Sequence, residues 1–143
     1  MDQKDTTEVK RIVEDSLKSF SKRIGDTPTD AFQLVPKKYV DPRVVSITSS
    51  QNYIVNTDIY NHLSITALSE DITITTSGSP TNFARLIIRI KDNGTSRAIT
   101  WGSMFSSYGV TLPSVTVISK VLTVGFLYDS IATKWGCVAV VQE

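Results

Sequence analysis

Few side chains in this sequence could carry out acid–base or covalent chemistry. There is one histidine, His62, and one cysteine, Cys137, so a zinc site of His and Cys ligands or a hydrolytic triad lacks the necessary parts. Glu70 and Asp71 are adjacent and would point to opposite faces of a strand, so they do not form the facing carboxylate pair of a glycosidase. The sequence therefore predicts no catalytic residue, no metal site and no cofactor. An enzyme built on His62 or Glu70 is the least favoured class.

Aromatic side chains could instead bind a ligand by stacking. Trp101, Tyr108 and Trp135 are the candidates for contact with a sugar ring, which would make the chain a carbohydrate-binding module. The alternative is that these rings fill the core of a β-domain, as large aromatic side chains commonly do. Both interpretations remain open at this point.

The charge balance argues against two classes of partner. The 143 residues include 15 Lys and Arg against 14 Asp and Glu, a net charge of +1, which gives no general attraction to nucleic acid or to an anionic membrane. The charged first residues and the short apolar runs predict neither a secretory signal nor a transmembrane helix. We therefore expect no nucleic-acid partner and no membrane partner.

Charge is distributed unevenly along the chain. Residues 1–24 hold 11 charged side chains, whereas the 100 residues from 44 to 143 hold only 12. The first segment predicts a helix over residues 1–25 that ends at Gly25. Its apolar stripe has helical spacing and consists of Val9, Ile12, Val13, Leu17, Phe20 and Ile24.

Residues 26–43 predict an extended arm, because Pro28, Pro36 and Pro42 exclude a continuous helix or a central strand. The arm contains many apolar side chains for a solvated linker, among them Phe32, Leu34 and Tyr39. We expect it to lie along a surface.

From residue 44 onward, apolar and polar residues alternate with the period of a strand. The pattern predicts strands at 43–48, 53–56, 61–67, 71–76, 84–91, 96–101, 114–119, 121–128 and 134–141. Asp92, Asn93 and Gly94 could form a tight hairpin turn between two of these strands. Arg85, Arg89, Lys91 and Arg97 would then share a basic, solvated face. Short strands without intervening helices predict a mainly β fold: an antiparallel, jelly-roll-like β-sandwich preceded by one N-terminal α-helix and the extended arm.

Several stretches of the sequence resemble known proteins. Residues 26–40, DTPTDAFQLVPKKYV, resemble a connector of tailed-bacteriophage virion proteins. Residues 86–102, LIIRIKDNGTSRAITWG, are similar to the C-terminal β-domain of phage surface appendages and capsid decoration proteins, as are GVTLP at 109–113 and KWGCVAVVQE at 134–143. The resemblance implies a non-enzymatic, homotrimeric protein that is made in the host cytoplasm and displayed on the virion.

Within this resemblance, the first 43 residues would be the anchor of a capsid decoration or head-fibre protein. Its partners would be further copies of the chain and the major capsid protein or another virion protein. The capsid-binding or partner-binding side chains would be Val9, Ile12, Val13, Leu17, Phe20, Phe32, Leu34 and Tyr39. Two alternatives stay open, namely a receptor-binding tip of a tail or baseplate fibre and the carbohydrate-binding module.

Overall fold

The computed structural model describes residues 9–15 and 42–143. The chain divides into two units, residues 1–41 and residues 42–143. In the first unit, residues 9–15 form a helix whose side chains are all exposed, with Val9, Ile12 and Val13 each about half exposed. The rest of the predicted helix and nearly all of the predicted arm, including Leu17, Phe20, Phe32, Leu34 and Tyr39, lie outside the described residues.

The second unit is built from strands. Residues 42–143 form β1 (Val44–Ile47), β2 (Asn52–Asn56), β3 (His62–Leu68), β4 (Ile72–Ser77), β5 (Arg85–Asp92), β6 (Ile99–Trp101), β7 (Phe105–Ser107), β8 (Val121–Asp129) and β9 (Lys134–Gln142). The prediction of a mainly β fold is confirmed. Most boundaries fall within a residue or two of the alternating sequence pattern, because that pattern follows the side of the strand that is buried.

The strands form two sheets. The large sheet has the order β1-β3-β5-β8-β9-β7, and the small sheet has the order β2-β4-β6. The chain passes from the large sheet to the small one and back, so that each passage adds one strand to each sheet. All strands of the small sheet are therefore parallel, as are β1, β3 and β5 in the large sheet.

The prediction of antiparallel pairing is wrong for most strand pairs. Only β8 pairs antiparallel to its neighbours β5 and β9, while β7 joins β9 in parallel. A half-buried strand has the same alternating pattern in either direction, so the pattern could not distinguish the two. The arrangement of two sheets over one core is sandwich-like, and a jelly-roll order is not confirmed.

One shared hydrophobic core joins the sheets. In the large sheet, Leu63, Ile88 and Val124 occupy neighbouring register positions and are almost completely buried. In the small sheet, Val55, Ile72, Ile74 and Ile99 belong to the same buried cluster. Burying an aliphatic side chain contributes about 1.5–3 kcal/mol, so this cluster is the main source of stability of the second unit.

Two local predictions are wrong, and one short strand was not predicted. The predicted hairpin at residues 92–94 would pair β5 with β6, but these strands lie in different sheets. Gly94 has a positive φ of 95°, as a hairpin turn would require, but it lies in a corner between the two sheets and not in a hairpin. Residues 114–119 form only an isolated bridge between Val115 and Ala98, and the short β7 was not predicted, since three residues are too few to show a period.

The corner after β5 is held by a buried carboxylate. Asp92 is 3% exposed. It accepts hydrogen bonds from the Gly94 and Ser119 backbone N–H groups at 3.0 and 2.8 Å and from the Thr116 hydroxyl at 2.8 Å. Burial alone would raise the pKa of Asp92, but these hydrogen bonds and the nearby Arg97 outweigh burial and hold its pKa below the ordinary value.

We expect Asp92→Ala to lower the free energy of unfolding by about 2 kcal/mol at neutral pH, because three donors, among them the buried Thr116 hydroxyl, lose their acceptor. The folded-state pKa lies below the unfolded one, so this stabilisation exists above about pH 4 and is lost as the pH falls through the folded-state pKa. Urea unfolding at several pH values measures both effects. Asp71→Ala is the control, since the exposed Asp71 accepts one hydrogen bond, from the Ala98 N–H. Equal losses in the two variants would contradict the role of Asp92.

Candidate functional site

The topology brings several connections to one edge of the second unit. Each return from the small sheet to the large sheet lies at the edge where β3 and β5 begin, because β1, β3 and β5 are parallel. The returns that precede β3 and β5 are residues 57–61 and residues 78–84. The end of β8 lies at the same edge, since Arg85 pairs with Leu127 in antiparallel register. Residues far apart in the sequence therefore meet here.

A polar cleft of about 420 Å³ lies between these returns, and we call it the corner cleft. Its lining residues are Arg43, Thr57, Asp58, Asn61, Ser79, Pro80, Thr81, Asn82, Phe83, Ala84, Arg85 and Trp135. The Arg43 backbone N–H donates to Asn61 Oδ1 at 2.8 Å, and the Arg43 guanidinium donates to the Asp58 carbonyl at 2.7 Å. The Ser79 N–H donates to Asp58 Oδ1 at 2.8 Å. These bonds fix the cleft's polar wall without any ligand.

The backbone at Gly78, next to the corner cleft, is closely surrounded by other atoms. Gly78 has a φ of 107°, and a Cβ atom there would lie 2.8 Å from Thr57 Oγ1 and 2.9 Å from the Asp58 carboxyl. The Thr57 N–H and hydroxyl both donate to the Ser77 carbonyl, at 2.9 and 2.8 Å. Only glycine suits position 78, because both the backbone conformation and the space exclude a side chain.

Phe83 stands at the rim of the corner cleft and has an unusual conformation. Its side chain is 74% exposed, and its φ is 62°. A bulky residue rarely adopts a positive φ, and such backbone strain costs about 1–3 kcal/mol. The Phe83 N–H donates to the Tyr128 carbonyl, and the Tyr128 N–H donates to the Ala84 carbonyl, both at 2.9 Å. This pairing with the end of β8 holds the strained backbone in place.

A second, mostly apolar cleft of about 290 Å³ lies on the other side of Phe83. It is lined by Asn82, Phe83, Tyr108, Leu127, Tyr128, Asp129, Ile131 and Val138. The Tyr108 hydroxyl donates to Asp129 Oδ2 at 2.5 Å, which raises the pKa of Tyr108 and lowers that of Asp129. The Tyr108 ring covers Gly136 so closely that a Cβ atom there would lie 2.5 Å from the ring.

The outer face of the large sheet is mostly apolar where β5, β8 and β9 meet, although Thr123 lies there between Arg89 and Val141. We call this surface the outer patch, and it consists of Ile87, Gly125, Leu127, Val138, Ala139 and Val141. Val138 and Val141 are 41% and 54% exposed. In contrast, the outward positions at the centres of β3 and β4 are Ser and Thr, namely Ser64, Thr66, Thr73 and Thr75. A solvated sheet face is normally polar, so the outer patch departs from the pattern of its own neighbours.

The structure separates the three predicted stacking residues. Trp135 is 1% exposed and packs against Tyr128, with 5.2 Å between ring centroids. Trp101 packs against Phe105 and Phe126, and its indole N–H donates to the Pro113 carbonyl at 2.7 Å. Trp135 thus belongs to the core and offers no ring face to a ligand, and the partly buried Trp101 packs against that core. Tyr108, 41% exposed, is the one member of the three on the surface.

Sequence reasoning missed Phe83 and Arg43 as residues of a site, and it placed Arg85 only on a solvated basic face. The sequence did contain an indication of Phe83's role. Phe83 directly follows the stretch Gly78-Ser79-Pro80-Thr81-Asn82, which consists of typical turn residues. A large aromatic residue in a turn has no strand face to bury. Nothing in the sequence indicated that Arg43 and Arg85 line one cleft, since their proximity depends on the parallel pairing of β1, β3 and β5.

Other kinds of site find little support in the described parts of the chain. Residues 9–15 and 42–143 contain no group of three or more His, Cys, Asp or Glu side chains that could hold a metal ion. No helix within those ranges is long and apolar enough to cross a membrane. Cys137 is buried, and burial raises the pKa of its thiol.

The chain matches no family model, no curated protein and no solved structure.

His62 lies beside the corner cleft, and the positive charge of Arg85 in that cleft affects its pKa. The His62 Nδ1 atom lies 2.6 Å from Asn61 Oδ1. Partial burial and the positive charge of Arg85 lower the pKa of His62 below its ordinary value of 6.5. Since the unfolded state binds this proton more readily, His62 reduces the free energy of unfolding as the pH falls below about 6.5.

Replacing Arg85 tests this electrostatic contact. We expect Arg85→Gln to raise the pKa of His62 toward 6.5, because it removes the positive charge and leaves the burial. An NMR titration of the imidazole measures the pKa directly, since the chain has one histidine. Arg89→Gln is the matched control on the same strand and should leave the titration unchanged. A His62 pKa unaffected by Arg85→Gln would contradict the contact.

Proposed function

We propose that this chain is a non-enzymatic structural protein of a tailed-bacteriophage virion. It assembles as a homotrimer and is attached through its first 43 residues, as a capsid decoration or head-fibre protein. The outer patch is the observation that carries the proposal, together with the resemblance of residues 86–102 and 134–143 to phage β-domains. These two segments include β5 and β9, which supply Ile87, Val138, Ala139 and Val141 to the patch.

The outer patch has the properties of a subunit contact. Contiguous exposed apolar surface on a soluble domain marks an interaction site. Gly125 and Ala139 are register partners at its centre, and such small residues allow another sheet to approach closely. Burial of this surface between subunits would add to the stability of a domain that has one buried, free cysteine and hence no disulfide bond within the chain.

The charges around the outer patch favour another copy of this chain as the occupant. Arg89 and Lys91 lie along β5 on one side, whereas Glu143 follows β9 on the other. In a ring of identical subunits, the basic β5 side of one copy would meet Glu143 of the next. A cyclic trimer uses such head-to-tail contacts and leaves no patch uncovered.

The helix at residues 9–15 suits the anchoring role. Val9, Ile12 and Val13 are apolar and follow helical spacing, so they share one face, and each is about half exposed. A short helix gains most of its stability from packing of such a face. Docking on the capsid or on another virion protein would supply that packing.

The trimer predicts a mass of three times the 15.8 kDa of the chain in light scattering of the full-length protein. Val141→Lys should reduce this mass to that of a monomer, because it places a charge in the contact. Ile54→Lys is the matched control, since Ile54 is 63% exposed but lies on the small sheet. A monomeric wild-type protein, or equal masses for the wild type and Val141→Lys, would contradict the proposed contact.

The anchor predicts that deletion of residues 1–25 abolishes attachment to virions while the β-domain stays folded. Cosedimentation with particles that lack the protein measures attachment, and near-UV circular dichroism checks the fold. The full-length triple variant Val9→Ser, Ile12→Ser, Val13→Ser should weaken attachment in the same direction. A truncated protein that still decorates particles would rule out the helix as anchor.

A further inference from the structure

We propose that the corner cleft is a binding site for an acidic saccharide, with Phe83 as its stacking platform and Arg85 and Arg43 as its carboxylate contacts. This inference does not rest on the proposed virion role, because it uses only groups of one copy of the chain. It also differs from a site built on Trp101 and Trp135, since Trp135 is buried in the core and Trp101 packs against it, and neither lines the cleft as a stacking platform.

The first step of the argument is the Phe83 ring. An aromatic side chain that is 74% exposed adds little to the stability of the β-domain, and its positive φ reduces that stability. Strained residues that the surrounding structure holds in place are concentrated at ligand sites. Here the hydrogen bonds between residues 83–84 and Tyr128 hold the backbone, so the ring is presented at the cleft before any ligand arrives.

The second step is the polar wall that lies beside the ring. Binding sites for small molecules combine an apolar surface with a few fixed polar groups, within volumes of about 300–1,000 Å³, and the corner cleft of about 420 Å³ falls in that range. Asp58, Asn61 and Asn82 offer acceptors and amide donors for hydroxyl groups. An aromatic face beside such groups suits a sugar, which has an apolar ring face and polar edges.

The third step is charge. The corner cleft has two arginines, Arg43 and Arg85, and one carboxylate, Asp58. The Arg43 guanidinium already donates to the Asp58 carbonyl, whereas the Arg85 guanidinium donates no hydrogen bond within residues 42–143. An arginine binds a carboxylate with two parallel hydrogen bonds. The uncommitted Arg85 therefore favours a sugar that carries a carboxylate.

The Asp58 carboxylate is an acceptor that a hydroxyl-bearing ligand can use and a bare phosphate ion cannot. A phosphate carries more negative charge than a sugar carboxylate, so its attraction to the two arginines and its repulsion by Asp58 are both stronger. A sugar hydroxyl, in contrast, can donate to the Asp58 oxygen that does not accept the Ser79 N–H. The net charge of +1 gives no further attraction to a nucleic-acid backbone.

The apolar cleft across Phe83 does not belong to this site. Its lining includes Leu127 and Val138, which are members of the outer patch and hence of the proposed subunit contact. The two clefts share Asn82 and Phe83, whereas the outer patch shares no residue with the corner cleft. This separation lets the experiment change one of them without the other.

The experiment measures binding to the full-length protein by NMR, with the His62 imidazole as the reporter. The probes are three carboxylated oligosaccharides, trigalacturonate, a hyaluronan tetrasaccharide and 3′-sialyllactose, with maltotriose and lactose as neutral controls. We expect at least one acidic probe to bind saturably and to shift the His62 signals, and the neutral sugars to bind at least tenfold more weakly. No response to any acidic probe, or equal binding of neutral sugars, would overturn the proposal.

Variants then assign the contacts. We expect Phe83→Ala and Arg85→Gln each to weaken binding about tenfold, and Phe83→Trp to retain it, because the stacking surface remains. Ile131→Ala is the matched control, since Ile131 is 94% exposed but lines the other cleft. Its binding and the light-scattering mass of every variant should stay unchanged.

Two outcomes would replace the proposal with another. If inorganic phosphate and adenosine monophosphate bind as tightly as the acidic sugars, the corner cleft is a phosphate site. If Phe83→Ala lowers the mass but leaves sugar binding intact, Phe83 is a subunit contact. The proposed trimer fails by a different measurement, the mass of the wild type, so the two failures are distinguishable.

Discussion

The buried ladder that crosses the large sheet is the constraint on which the rest of the structure depends. Leu63, Ile88 and Val124 come from three strands, two of them parallel, and each needs its neighbours to exclude water. Parallel neighbours cannot be joined by a short hairpin. The chain solves this by passing through the small sheet between them, which buries a second set of aliphatic residues in the same core. The corners before β3 and β5 are a consequence of that path.

The corners at the two edges differ in chemistry. At the edge where β5 ends, the buried Asp92 collects three hydrogen bonds and stabilises its corner. At the edge where β5 begins, Phe83 is held in a strained conformation with its ring in solvent. The first arrangement improves stability and offers no accessible group. The second reduces stability and presents an aromatic ring beside two arginines, which is the combination expected of a binding site.

The two proposed functions use opposite properties of one β-domain. Self-association would use the flat, apolar outer patch, where small and aliphatic side chains allow two sheets to meet. Saccharide binding would use a concave, polar cleft whose groups are fixed by hydrogen bonds to the backbone. A virion surface protein that is held as a trimer would present three such clefts, and multiple weak sugar contacts combine into stronger overall attachment.

The sequence by itself determined the mainly β character from residue 43 onward and most of the strand bounds, because alternation with period two reflects which side of each strand is buried. It missed the three-residue β7 and predicted a strand at 114–119, where the structure has only an isolated bridge. It could not determine strand direction, since the same alternation serves parallel and antiparallel pairs, and it therefore placed β5 and β6 in one hairpin. Only the tertiary structure decided that Arg43, Asn61, Phe83 and Arg85 share one cleft, because their proximity follows from parallel register between strands separated by long connections.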